Sequence, residues 1–120
     1  MRTANWIPVT EVSSIPEREG RSMRWGDMKV AIFNLGERVL AVENKCPHGG
    51  GPLADGILSN VNGNVTVTCP LHSWRVCLHT GEVAKPSGLA ACVRTFAVKT
   101  VDGIVHVDLP ELAKPLEAVA

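Results

Sequence analysis

The chain reads as an all-β domain, and three features predict it. Short runs rich in Val and Ile recur between turn signals. Its 11 glycines and 8 prolines interrupt every window that a long helix would need. Two dipeptides, Asn62-Gly63 and Asp102-Gly103, stand beside such runs and suit tight hairpin turns. Many short strands with frequent turns predict a small sandwich or barrel.

Each element follows from its own residues. WIPVT (6–10) is the first expected strand. MKVAIFNL (28–35) and RVLAVE (38–43) come next, joined through Gly36 as a hairpin. VTVT (65–68) alternates strictly after Asn62-Gly63. VRTFAVKTV (93–101) and IVHVDL (104–109) flank Asp102-Gly103 and predict a closing hairpin. In the last run Val105, Val107 and Leu109 share one face, which turns His106 to the other. The tail, residues 110–120, is expected to form a turn of helix or to fray. With 120 residues and neither repeat nor linker, the expectation is one domain over 1–120.

Composition excludes several classes. Hydrophobic residues make up 45% and charged residues 20%, a globular rather than a disordered balance. Twelve basic and twelve acidic side chains give zero net charge, with no basic run. Nothing therefore favours nucleic acid or an anionic membrane as partner. The start, MRTANWIPVTEV, lacks the apolar centre of a signal peptide, and no stretch approaches bilayer-spanning length. A cytoplasmic location with reduced thiols is expected. There, four cysteines favour metal ligation or burial over two disulfides.

Two clusters carry the chemistry. Cys46-Pro47-His48-Gly49-Gly50-Gly51 and Cys69-Pro70-Leu71-His72-Ser73-Trp74 each offer a thiol and an imidazole within three residues, and each begins where an apolar strand ends. The segment between them holds a hairpin signal, so the clusters can return to neighbouring loop tips. Two thiolates with two imidazoles suit zinc or an iron–sulfur centre. Structural zinc sites more often run Cys-Cys then His-His. One Cys and one His per loop fits a mixed-ligand [2Fe–2S] cluster, two thiolates on one iron and two imidazoles on the other. A structural Cys₂His₂ zinc module is the alternative of another class.

The order C-x-H … C-x-x-H, with Pro47 and Pro70 after each Cys, glycines after His48 and Trp74 after His72, resembles the Rieske family signature. The resemblance implies stacked antiparallel sheets, with one cluster held at one end by two loops and covered by a third near Lys85-Pro86. It implies Cys46 and Cys69 on the inner iron and His48 and His72 on the outer one, with no catalytic residue of its own. It also implies an exposed docking patch of His48, His72, Gly49, Gly50, Leu71 and Pro86. The stretches CPHGGGPLADGIL, VTCPLHSWRVCLHTGEV and CVRTFAVKTVDGIVHV are most similar to the small subunit of assimilatory NAD(P)H-dependent nitrite reductase. That family implies a large partner with flavin, [4Fe–4S] and sirohaem centres, which reduces nitrite to ammonium. The alternative within the resemblance is a stand-alone Rieske ferredoxin serving an aromatic-ring dioxygenase.

The remaining residues have plainer roles. Cys77 and Cys92 are expected as buried core thiols, His79 as a solvated turn residue and His106 as a solvent-facing strand residue. Trp74 is expected to support the second loop, and Trp6 and Trp25 to fill the core.

Rieske proteins of cytochrome bc complexes carry an extra Cys in each loop, where this chain has Gly51 and Leu71, and a hydroxyl where it has Trp74. Fewer hydrogen bonds to sulfur stabilise the reduced state less. The midpoint potential is predicted at the low end of the Rieske range of roughly −150 to +300 mV. A redox titration giving a value near the top would overturn that expectation.

Overall fold

The computed structural model describes residues 4–36, 38–45, 52–61, 64–71, 74–85 and 92–109. Among them are eleven strands, two 3₁₀ turns (Val12–Ser14 and Leu53–Asp55) and no α-helix. The strands are β1 (Trp6–Glu11), β2 (Glu19–Trp25), β3 (Met28–Asn34), β4 (Val39–Glu43), β5 (Ile57–Val61) and β6 (Asn64–Thr68). They continue as β7 (Arg75–Cys77), β8 (Val83–Lys85), β9 (Thr95–Phe96), β10 (Val98–Val101) and β11 (Ile104–Asp108). They form three antiparallel sheets, ordered β1-β11-β10, β2-β3-β4-β9 and β5-β6-β7-β8.

Within the β2-β3-β4-β9 sheet, β3 is buried on both faces. Val30, Ala31, Ile32 and Phe33 are each at most 2% exposed. Because side chains alternate along a strand, they divide between two cores. Val30 and Ile32, with Val39, Ala41 and Phe96, meet Val105, Val107 and Leu109 from β11 and its end. Ala31 and Phe33, with Val42, meet Leu53, Val67, Val76 and Leu78. The run VAIF, apolar at every position, is what a strand enclosed on two sides requires.

Expected hairpins and observed ones agree where both can be compared. Asp102 and Gly103 have φ of 53° and 77°, the left-handed pair that a type I′ turn demands, and Val101 pairs with Ile104 across it. Asn62 and Gly63 lie outside the described residues, but Val61 and Asn64 pair on either side of them. Pro8 sits on the edge strand β1, where no second neighbour needs its missing N–H. A register shift follows it, between Pro8 and Thr10.

One expected strand needs correction, and four strands were not expected. β2, EGRSMRW, is a full strand although only Met23 and Trp25 are apolar; both turn to the β11-side core, while the rest of this edge strand is polar. The run 93–101 is not one strand. Phe96 pairs with Ala41 in the β2-β3-β4-β9 sheet, Val98 pairs with Val107 in the outer one, and the chain changes sheets at Ala97. β5, β7 and β8 were not expected as separate strands, since β7 and β8 have only three residues each. The tail from 110 to 120 lies outside the described residues.

The Leu53–Asp55 turn is the hinge between layers. Leu53 and Ala54 are buried in the core under β6 and β7. Gly56 follows with an ordinary φ of −79°, so its need for glycine is one of space. A Cβ there would run into the Thr68 carbonyl oxygen and come within 2.6 Å of Val67 Cγ2. The chain leaving the turn therefore lies flush against the end of β6. Gly56→Ala should lower unfolding free energy by about 1–3 kcal/mol, as overpacking does. Denaturant titration measures this; an unchanged midpoint would mean that β6 yields without cost.

Candidate metal centre

The second candidate loop hangs from two strand ends. Thr68 of β6 and Arg75 of β7 are register partners. Directly above them the Cys69 N–H donates to the Trp74 carbonyl at 2.7 Å. Both feet of this loop are thus closed by backbone pairing, and Trp74 packs its half-buried ring on the core beneath, as expected of a support. Cys69 is 1% exposed, carries a free thiol and shares the core with Leu53, Val67 and Val76. Pro70 and Leu71 turn outward, Leu71 with 62% exposure.

The first loop shows its feet. β4 ends at Glu43, whose N–H donates to the Arg94 carbonyl, and the Asn44 N–H donates to Lys29 at 2.8 Å. The Asn44 side-chain Oδ1 accepts the Ala54 N–H, also at 2.8 Å. That bond joins the strand before the loop to the turn after it. Gly56 then sets this turn against Thr68, one residue before Cys69. The two loops rise from adjoining feet, the juxtaposition a shared cofactor needs.

Cys69 is the expected ligand that falls within the described residues. Cys46, His48 and His72 lie outside them, as do Gly49, Gly50, Gly51, Ser73 and Pro86. Among the described residues, no three His, Cys, Asp or Glu side chains gather as a metal site elsewhere. The donor chemistry fits an iron–sulfur group. A thiolate is costly to bury alone in apolar surroundings, and a metal offsets that charge. Cys69 is buried and placed where a loop leaves the core, a position that suits a thiolate ligand.

Charge around the feet is mixed. Arg24, Lys29 and Lys45 are exposed there together with Asp27, and Glu43 is half-buried. Arg24 and Lys29 are direct cross-strand partners, an arrangement of like charges that costs a little stability.

Other residues sort differently from expectation. Cys77 is half-buried, but Cys92 is exposed, because it bridges to Glu82 at the edge of β8 where the chain crosses between sheets. Trp6 does not join either core; its ring lies half-buried beneath the Lys99 ammonium, 4.6 Å from the centroid. Trp25 does pack on the β11-side core. His79 is exposed and its Nε2 accepts from the Arg38 guanidinium at 2.8 Å, since arginine only donates. His106 is half-buried, with Nδ1 3.1 Å from the Ile104 carbonyl. Asn44 was missed by sequence reasoning. Its signal was a polar residue just after a largely apolar strand, two positions before Cys46.

Comparison with known proteins places the chain. A family model for the Rieske-like [2Fe–2S] domain matches residues 5–108. The ferredoxin subunit of 3-phenylpropionate/cinnamic acid dioxygenase from Escherichia coli K12 is 31% identical over 113 residues, covering 89% of this chain and 96% of that one. The ferredoxin of Sphingomonas yanoikuyae B1 superposes with a TM-score of 0.72 at 27% identity, over 88% of this chain and all of the other. The nitrite reductase [NAD(P)H] small subunit from Erwinia carotovora gives a TM-score of 0.73 at 19% identity, over 96% and 89%. The last likeness is one of fold. Three sheets, two adjoining loop feet and a buried free thiol at the foot of one loop agree with the matched family. The chain belongs to the Rieske-like [2Fe–2S] domain family, and its cofactor is a Rieske-type [2Fe–2S] cluster.

Proposed function

We propose that this chain is the electron-transfer small subunit of an assimilatory nitrite reductase, with Cys46 and Cys69 holding one iron and His48 and His72 the other. The observation that carries the reading is the pair of stretches LHTGE (78–82) and CVRTFAVKTVDG (92–103), which resemble that subunit beyond the ligand loops. The two stretches touch: the Val93 N–H donates to Gly81 at 2.7 Å, and Glu82 bridges Cys92. They form one unit of the fold rather than two scattered matches. When bound, the cluster supplies one-electron redox chemistry. The chain's own residues hold it, shield its thiolate side at Cys69 and offer a face for docking.

That face is apolar near the second loop. Leu71 and Ile57 are 62% and 72% exposed, and Ile57 is the register partner of Thr68, the residue before Cys69. Exposed apolar side chains next to a redox site suit a protein partner. In this reading the partner is the large flavin and sirohaem subunit, and the compartment is the cytoplasm. Substrate conversion belongs to that partner.

A second reading has its own support. The 31% identity to a dioxygenase ferredoxin subunit favours a stand-alone carrier serving an oxygenase. Affinity capture from the native cell separates the two. The first reading expects stoichiometric recovery of a sirohaem-containing large subunit. Recovery of the chain alone, reducible by a separate flavin reductase, would replace it with the second. The purified chain should show visible absorption and an EPR signal on reduction, both lost in Cys69→Ala. A colourless protein with one equivalent of zinc would refute the ligand assignment.

A further inference from the structure

We propose that Asn44 is a positioning residue for the cluster, setting the feet of the first ligand loop without ligating metal. The inference rests on the assignment of Cys46 and His48 as ligands.

Asn44 and Thr66 are the buried polar side chains among the described residues, and Asn44 is 7% exposed. It directly follows a strand, VLAVE, whose first four residues are all apolar. Burying an amide there costs free energy unless it is bonded, and an apolar residue of that size would avoid the cost. A specific hydrogen bond accounts for the choice. The first N–H groups of a helical turn lack partners within the turn. In Leu53–Asp55 the residue before the turn is Pro52, which makes no side-chain cap. Asp55 and Gly56 donate back to Pro52 and Leu53. Ala54 donates to Asn44 Oδ1 instead. Asn44 thus caps a turn that lies ten residues further along the chain.

The closure has a direct consequence for the loop. Residues 45–53 run between the two ends of that bond, and Cys46 and His48 are among them. The strand end is itself fixed, through the Asn44 N–H to Lys29 and the Glu43 N–H to Arg94. The turn is fixed as well, by Gly56 against Thr68. Tying the loop's ends before the cluster arrives removes chain freedom that ligation would otherwise have to remove. Asn44 is the side chain that makes the tie, so it acts on the cluster through Cys46 and His48.

The test uses the full chain with its cluster, as wild type, Asn44→Ala, Asn44→Ser and Asn44→Asp. The first readout is the rate of cluster loss in excess EDTA, followed by visible absorbance. The second is the EPR line shape after dithionite reduction. The third is the thermal midpoint of each cluster-free chain. Asn44→Ala should release the cluster about fivefold faster, the worth of one hydrogen bond, with a broadened EPR signal. Asn44→Asp keeps an acceptor for the Ala54 N–H and should stay within about twofold of wild type on the same scale. Asn44→Ser, too short to reach, should follow Asn44→Ala and serves if the alanine variant does not fold. A lowered midpoint with wild-type release and line shape would show a cap that serves the fold alone and would overturn the proposal. So would Asn44→Asp releasing as fast as Asn44→Ala. Cys46→Ala is the control for the underlying assignment: full cluster content in that variant would refute the ligand reading whatever Asn44 does.

Discussion

The fold depends on a strand that has no solvent side. From Val30 to Phe33 every residue of β3 is buried, with alternate side chains feeding two separate cores. One core joins the sheet to β1, β10 and β11, the other to the sheet from which the second candidate loop rises. Burying apolar side chains stabilises by about 1.5–3 kcal/mol each, and β3 and β4 contribute them to both sides. The sheet built on β3 is therefore a fixed platform. The two candidate ligand loops need no core of their own, because each is closed at its feet beside strands already anchored there.

Rigidity passes from that platform to the cluster end in short steps. β4 leads into Asn44, Asn44 holds the Leu53–Asp55 turn, and Gly56 lays the turn against β6. β6 ends in Thr68, and Cys69 and Trp74 close the second loop above the Thr68–Arg75 pair. Each step is a backbone or side-chain hydrogen bond or a backbone contact without room for a Cβ. Such contacts tolerate little displacement. An electron carrier benefits, because its ligands must keep one geometry in two oxidation states.

Sequence reasoning succeeded where one physical signal dominated. The alternation in IVHVDL placed Val105, Val107 and Leu109 in the core and His106 away from it, as found. Asp102-Gly103 named its own turn, because left-handed backbone at both residues excludes most alternatives. The mixed thiolate and imidazole pattern pointed to the family that the family model matches, because such a set has few uses. Signals failed where the determinant was tertiary. β2 has a polar edge composition and is a strand because β3 pairs with it. Cys92 has apolar neighbours in sequence but lies where the chain crosses between sheets. Trp6, large and apolar, found Lys99 rather than a core. Asn44 gave no pattern of its own, since its partner is ten residues away and only the folded chain brings them together.

The same distinction bears on how relatives are told apart. LHTGE and CVRTF are held against each other through Gly81, Val93, Glu82 and Cys92, at the point where the chain passes from the β5–β8 sheet to the β4 edge. The backbone at that crossing is fixed by these pairings, so its residues serve the fold. Contact with a redox partner falls to exposed side chains. Leu71 on the second loop and Ile57 at the start of β5 are such residues, and neither belongs to either core. Their apolar surface, set in a margin of mixed charge, gives a partner contact area at the cluster end without strong long-range steering. Contact area of that kind slows dissociation, whereas strong complementary charge speeds encounter, so the two apolar side chains act on how long a redox partner stays rather than on how fast it arrives.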